Sequence, residues 1–239
     1  MPKVDRQLVV YDFDWSMADQ DTDRWIFEVL APDLRRNMKK LKDKIQWTDL
    51  VAQTLRDAHK RGITREQIEH ALRIMPFHPA MERAVKHLQA AGNTTFLCLS
   101  NSNSVFISTI LEAKNLQNLF KEIITNPAEW DESGLLKLRR KIDLDGPQHS
   151  CTVGCNPNMC KGEELEAFLN RHAPRYNRII YVGDGTNDFC PVLRLRSQDI
   201  VLCRNHRGLQ KRIVKEGGLQ CQVKYWGGAW EVEEIFSSL

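Results

Sequence analysis

Three features of the sequence predict an α/β fold: a mostly parallel sheet with helices on both faces, plus one all-helical insertion. A short apolar run, Leu8-Val9-Val10-Tyr11, stops at Asp12-Phe13-Asp14. From about residue 85 onward, short apolar runs alternate with amphipathic stretches, the pattern of strands joined by crossover helices. Between the two, residues from about 18 to 80 carry only helical periodicity. The first strand has nothing to pair with locally, so it must join the later sheet. The expected division is a core of residues 1–17 and 81–239 and a helical unit of residues 18–80.

The elements follow in order. Leu34, Met38 and Leu41 keep helical spacing, and Leu50, Val51, Thr54, Leu55 and Ala58 make a second stripe closed by Gly62. Thr64 with Gln67 forms a capping-box pattern, and Pro76 stops the helix that follows. Met81, Val85 and Leu88 mark a helix ending at Gly92. Strands are expected at Thr94–Leu99, Glu122–Thr125, Arg178–Val182, Ile200–Cys203 and Gln222–Tyr225, with helices after the last two and one around Phe106 and Ile110. Trp130–Gly146 reads as a small hairpin, and Asn158–His172 as a helix with Leu165, Phe168 and Leu169 inward.

The bulk numbers suit a globule with a core: 42% hydrophobic and 27% charged residues in 239. No apolar run approaches the ~20 residues of a membrane span, and the N-terminus lacks a signal-peptide pattern. The expectation is an intracellular, cytoplasmic protein that binds neither membrane nor nucleic acid. The net charge is only +3, and the basic clusters at Arg35–Lys44 and Arg204–Arg212 read as solvated helix faces. Six of the seven cysteines lie in the second half, where reduced thiols are expected.

Several strands end in polar groups: Asp12 and Asp14, Ser100, and Asp184. In open α/β sheets, ligands bind outside the carboxyl ends of strands. Lys161, at the start of an expected helix, can reach the same rim. Carboxylates, a lysine and hydroxyl or amide donors are what positioning and stabilising a phosphoryl group requires. Asp12 and Asp14 could otherwise merely cap a turn, but two acids at a buried strand end are costly without a cation.

The motifs Asp12-Phe13-Asp14-Trp15-Ser16, Ser100, Lys161 and Gly183-Asp184-Gly185-Thr186-Asn187-Asp188 resemble, in order, those of the haloacid dehalogenase-like phosphatases. The runs Cys155–Lys161 and Tyr181–Pro191 and the stretch Asp19-x-Asp21-x-Asp23 look like the phosphoethanolamine/phosphocholine phosphatase family, whose relatives include pyridoxal phosphate phosphatases. The resemblance implies a Rossmann-like three-layer core and a helical cap at the insertion. It also implies a phosphoric monoester hydrolase acting on a small phosphorylated metabolite. Asp12 is then the nucleophile, forming an aspartyl-phosphate, with Asp14 as general acid and base and Lys161 as the catalytic cation. Mg2+ is held by Asp12, the Asp14 backbone carbonyl and Asp184, with Asp188 close by. Ser16, Ser100, Asn101 and Asn187 are the phosphate-binding candidates. Trp15, Asp21, Asp23 and Trp25 are candidates for the substrate and cap, with Trp47 beside them. For Trp25 and Trp47 the preferred reading is that they simply pack the helices together.

Two departures concern the leaving group. Ser100-Asn101-Ser102-Asn103 stands where the family has Ser-Asp-x-Asn, removing a negative charge, and Trp15 replaces a smaller or polar residue. Both weaken a choline or ethanolamine substrate. Pyridoxal phosphate, pyrophosphate and thiamine monophosphate stay open, and a catalytically silent regulatory domain is the non-enzymatic alternative. The cluster His149, Cys151, Cys155 and Cys160 lacks a Cys-x-x-Cys knuckle, so it reads as reduced structural thiols in preference to a zinc site.

Overall fold

The computed structural model describes residues 5–172 and 175–239. Along the chain, β1 (Gln7–Tyr11) is followed by four helices: α1 (Thr22–Leu30), α2 (Pro32–Leu41), α3 (Trp47–Lys60) and α4 (Arg65–Arg73). Next come α5 (Pro79–Ala90), β2 (Thr94–Asn103), α6 (Ser104–Ala113), β3 (Glu122–Asn126) and a hairpin of β4 (Ala128–Trp130) and β5 (Leu136–Leu138). The last part holds α7 (Lys161–Arg171), β6 (Arg178–Gly183), a 3-10 turn (Thr186–Asp188) and α8 (Phe189–Val192). It ends with β7 (Ile200–Arg204), α9 (Gly208–Glu216), β8 (Gln222–Trp226) and α10 (Ala229–Ser237).

Six strands form one parallel sheet in the order β3-β2-β1-β6-β7-β8. β1 is central and wholly buried, which explains its unbroken apolar run. From β1 the chain steps outward to β2 and β3, then restarts on the other side of β1 with β6. The order therefore reverses between β1 and β6, and the crevice at such a switch point is where α/β sheets bind ligands. Asp12 leaves β1 there, and its N–H donates to the Val182 carbonyl at 2.9 Å.

Alternate strand residues serve opposite faces. Val9, Tyr11, Ile180 and Val182 join α5, α6, α10 and the insertion helices in one apolar cluster. Leu8, Val10, Tyr181 and Val201 join α7, α8 and α9 in the other. The result is the Rossmann-like three-layer arrangement expected from the sequence. Among the described residues, no helix is long and apolar enough to cross a membrane.

The stretch between β1 and α5 is helical throughout. The Trp25 indole N–H donates to the Ala71 carbonyl at 2.7 Å, joining α1 to α4. The capping box of Thr64 and Gln67 starts α4 as read. Arg140, beyond β5, grips Asp49 of α3 with two hydrogen bonds and so ties these helices to the core chain.

Three boundaries differ from expectation by more than two residues, and one is the hairpin, which spans Ala128–Leu138 and leaves 139–146 without strand. β2 runs on to Asn103, so Ser100 and Asn101 are extended backbone, and Asn103 caps α6 by accepting from the Phe106 N–H. The helix expected from Asn158 begins at Lys161. Asn158 has φ 107°, outside the helical region, and its amide is bound to Asn126, Thr48 and Ile142. Phe168 then packs α7, and with it Lys161, against the sheet. Phe168→Ala should lower unfolding stability by about 3–5 kcal/mol in a denaturant titration.

Candidate active site

The acids that the switch point gathers are buried. Asp12 is 5% exposed, Asp184 8% and Asp188 not at all. One oxygen from each lies within 4.8 Å of the others. Between them sits the ammonium of Lys161, also buried, 2.9 Å from Asp12 Oδ1 and 2.8 Å from Asp188 Oδ1. Burial would pull that ammonium down, but Asp12 and Asp188 outweigh it and hold it above the usual lysine value.

Asp188 is saturated. Its Oδ1 accepts from Lys161 and from the Tyr181 hydroxyl, and its Oδ2 from the N–H groups of Asp184 and Gly185. Four bonds fill a carboxylate's lone-pair sites. Asp188 therefore orients Lys161 and the Asp184 loop, and the unfilled oxygens of the group belong to Asp12 and Asp184. Gly183 makes this possible: a Cβ there would lie 2.8 Å from the Asp188 carboxyl. Asp12 Oδ1 accepts from Lys161 and the Phe13 N–H, while Oδ2 has no hydrogen bond among the described residues.

Burial, then the Asp188 charge, pushes Asp12 up to about 7. Burial and the Asp12 and Asp188 charges push Asp184 to about 8. One ammonium does not balance three carboxylates, and the open oxygens of Asp12 and Asp184 suit a hard divalent cation such as magnesium. Asp14 is held differently. Its Oδ1 accepts from the Thr22 N–H at 3.0 Å and its Oδ2 from the Thr22 hydroxyl at 3.2 Å. Burial and the Asp21 and Asp23 charges raise it well above the usual carboxylate range. A carboxyl whose hold on its proton is strengthened in this way is suited to act as an acid.

A cleft of about 270 Å³ opens over these groups. Asp12, Asp14, Trp15, Ser100, Asn101, Asp184 and Asn187 line its core side, and Asp21, Asp23, Arg24 and Trp47 its insertion side. Asn101 and Asn187 meet across it, Asn187 Nδ2 donating to Asn101 Oδ1 at 2.8 Å. Asp23 accepts from the Trp47 indole at 2.8 Å, and burial with the nearby Asp21 pushes it to about 7. Burial also raises Asp21, against the pull of Arg24.

Lys161 and Asp188 lie buried behind the cleft lining, and two further candidates fall outside the site. Ser16 is 1% exposed and its hydroxyl has no partner, because the turn after Asp14 folds it inward. Trp25 is committed to α4, since its position on α1 faces the neighbouring helix.

Sequence reasoning missed Arg207 and Thr22. Arg207 lines the cleft with its guanidinium 3.7 Å from the Trp15 ring centre, and that guanidinium makes no hydrogen bond to another described residue. The cluster read as a solvated face thus turns partly to the site: Arg204 donates to the Trp15 carbonyl and pairs with Asp19 at 3.2 Å. The signal was available, because both arginines follow the end of β7 at the ligand edge. Trp15 has φ 59°, a strained conformation for a bulky residue, which these contacts hold.

An open carboxylate, a second carboxyl, a buried lysine and a saturated aspartate at a switch point are the arrangement that the resemblance to haloacid dehalogenase-like phosphatases implies. The architecture is similar to that of the HAD family hydrolase t0658 from Salmonella enterica serovar Typhi, with a TM-score of 0.65 at 14% identity over 99% of this chain and 74% of that one. The chain belongs to the family described as Putative Phosphatase, whose profile matches residues 7–239. Inorganic pyrophosphatase 2 of Arabidopsis thaliana is 32% identical over 100% of this chain and 85% of its own. Pyridoxal phosphate phosphatase PHOSPHO2 of Bos taurus is 34% identical over 87% and 86%. The protein is a phosphatase.

The raised acids fix a pH dependence. Their folded values lie above the roughly 4 of an unfolded aspartate. The native state thus holds protons that the unfolded chain releases, and stability falls as pH rises from about 4 through 7–8. In magnesium-free buffer Tm should be higher at about pH 5 than at about pH 8. Asp184→Asn should flatten that slope in thermal melts.

Proposed function

We propose that the protein is a magnesium-dependent phosphatase that moves a phosphoryl group from a small metabolite to Asp12 and then to water. The observation that carries this reading is the open Oδ2 of Asp12 beneath the cleft, its companion oxygen pinned by Lys161. The nucleophile is thereby aimed before substrate arrives. Asp12 and Asp184 would hold the magnesium, with the Asp14 carbonyl added by the family resemblance. Bound there, the ion offsets repulsion between the phosphate and the carboxylates and polarises the phosphoryl group.

The remaining steps belong to the chain. Asp12 Oδ2 attacks phosphorus as the bond to the leaving oxygen breaks, and the Asp14 carboxyl gives that oxygen its proton. Asp14, now ionised, takes a proton from the water that attacks the aspartyl-phosphate, releasing phosphate and restoring Asp12. Lys161 steadies Asp12 throughout, and Ser100, Asn101 and Asn187 donate to phosphate oxygens. The insertion acts as a cap, closing Arg24 and Trp47 over the rest of the substrate and excluding water.

Arg207 favours a particular leaving group. An unpaired guanidinium on an aromatic face at the rim suits an anionic or aromatic group better than a quaternary ammonium. Orthophosphate and pyridoxal, the groups released from pyrophosphate and pyridoxal phosphate, fit that description. Phosphocholine and phosphoethanolamine fit it less well.

Asp12→Asn should abolish hydrolysis of an aryl phosphate, and magnesium removal should do the same to the wild type. Equal rates for the variant and wild type would overturn the mechanism. Asp14→Asn should slow alkyl phosphates by about 10²–10⁴-fold and aryl phosphates much less, as steady-state kinetics will read. Arg207→Ala should lower kcat/KM for pyrophosphate by roughly 10–100-fold while leaving phosphocholine hydrolysis nearly unchanged.

A further inference from the structure

Cys151, Cys155 and Cys160 come from one short stretch and Cys190 from another thirty residues on, yet their four sulfurs all lie within 4.8 Å of one another. Cys151 to Cys155 is 3.6 Å, and Cys151 to Cys190 and Cys160 to Cys190 are each 3.5 Å. A zinc ion bound tetrahedrally to four thiolates at about 2.3 Å spaces its sulfurs by about 3.8 Å. His149 is not in the group; its Nε2 lies 2.8 Å from the Asn156 carbonyl oxygen. Cys190 takes its place, from the far side of the active-site loop, where sequence spacing gives no hint of it.

We infer that these four cysteines form a structural zinc site. The surroundings are those of thiolate ligands. The Val153 N–H points at Cys151 Sγ at 3.4 Å, and the Glu163 N–H at Cys160 Sγ at 3.5 Å, at the N-terminus of α7. Such donors orient a ligand sulfur and stabilise its charge. Binding expels one proton from each thiol and leaves a zinc tetrathiolate of net charge −2. Arg194 Nη2 lies 3.9 Å from Cys190 Sγ, and Arg212 Nη2 donates to the Val153 carbonyl at 2.9 Å. These guanidiniums offset that charge. Gly162 is required by the approach: a Cβ there would stand 2.6 Å from Cys190 Sγ.

The location explains a need for the metal. Residues 139–160 contain neither helix nor strand, a length of irregular chain that rarely holds together unaided. Four sulfurs and one ion clamp that loop to α7 and α8. Cys160 immediately precedes Lys161, and Cys190 follows Asp188 by two residues. The clamp is therefore a positioning device for the buried lysine pair. With four protein ligands the site has no open coordination position, so it is structural and not catalytic.

The test is metal analysis of protein expressed in zinc-supplied medium. One zinc per chain is expected after extensive dialysis, and it should persist in Asp184→Asn, which removes a ligand of the magnesium site. Cys155→Ser should lose it, with proteolytic opening of the 139–160 loop and a lower Tm. Because that variant can fail to fold, wild type grown in cobalt supplies a second reading: intense sulfur-to-cobalt charge transfer with tetrahedral d–d bands. Folded wild type without stoichiometric zinc, a disulfide within the cluster in freshly isolated protein, iron colour, or zinc lost from Asp184→Asn and kept by Cys155→Ser would each overturn the assignment.

Discussion

The structure turns on one buried cation. Lys161 is enclosed between Asp12 and Asp188 at the edge where β1 and β6 part. Burying an ammonium without partners would cost several kcal/mol, and so would leaving either carboxylate alone. Each charge is thus tolerable only because of the others. The lysine must begin a helix docked on the sheet, the aspartate must sit on a turn with four donors, and β6 must end in a glycine to leave room. Tyr181, one pleat before Gly183 on the same face, supplies the fourth donor.

The same economy links the insertion to the chemistry. Asp14 is gripped by the first residue of α1, and the Thr22 hydroxyl also lies 2.7 Å from that of Ser102 on β2. One threonine therefore joins the acid, the insertion and the neighbouring strand. Any shift of α1 changes the surroundings of Asp14, so under the proposed mechanism closure over a substrate and readiness of Asp14 would be mechanically coupled. The Arg140–Asp49 grip anchors α3, whose first residue, Trp47, joins α1 in the wall next to the cleft.

Much of this was legible in the sequence. The sheet, its helices and the helical insertion follow from apolar periodicity, because burial selects side chains at fixed spacing. Asp12, Asp14, Ser100, Lys161 and Asp184 were readable as strand-end or helix-start residues. Ser16 lies outside the cleft because the turn after Asp14 folds its hydroxyl inward, and Trp25 packs α1 on α4, the reading preferred for it from the sequence. Arg207 and Cys190 were missed because each is defined by groups distant in sequence.

By itself, the sequence determined which strands run out into polar residues, though not how far β2 extends, and hence which polar side chains could face a common edge. Local chemistry is enough for that, since hydrophobic alternation and turn residues act over a few positions. Only the tertiary structure decided the rest: that Asp188 is filled and Asp12 half open, that Arg207 lies on Trp15, and that four cysteines meet behind Lys161. Those facts depend on distances between residues up to about 190 positions apart. Such distances are set by how helices dock on the sheet, and no local pattern encodes docking.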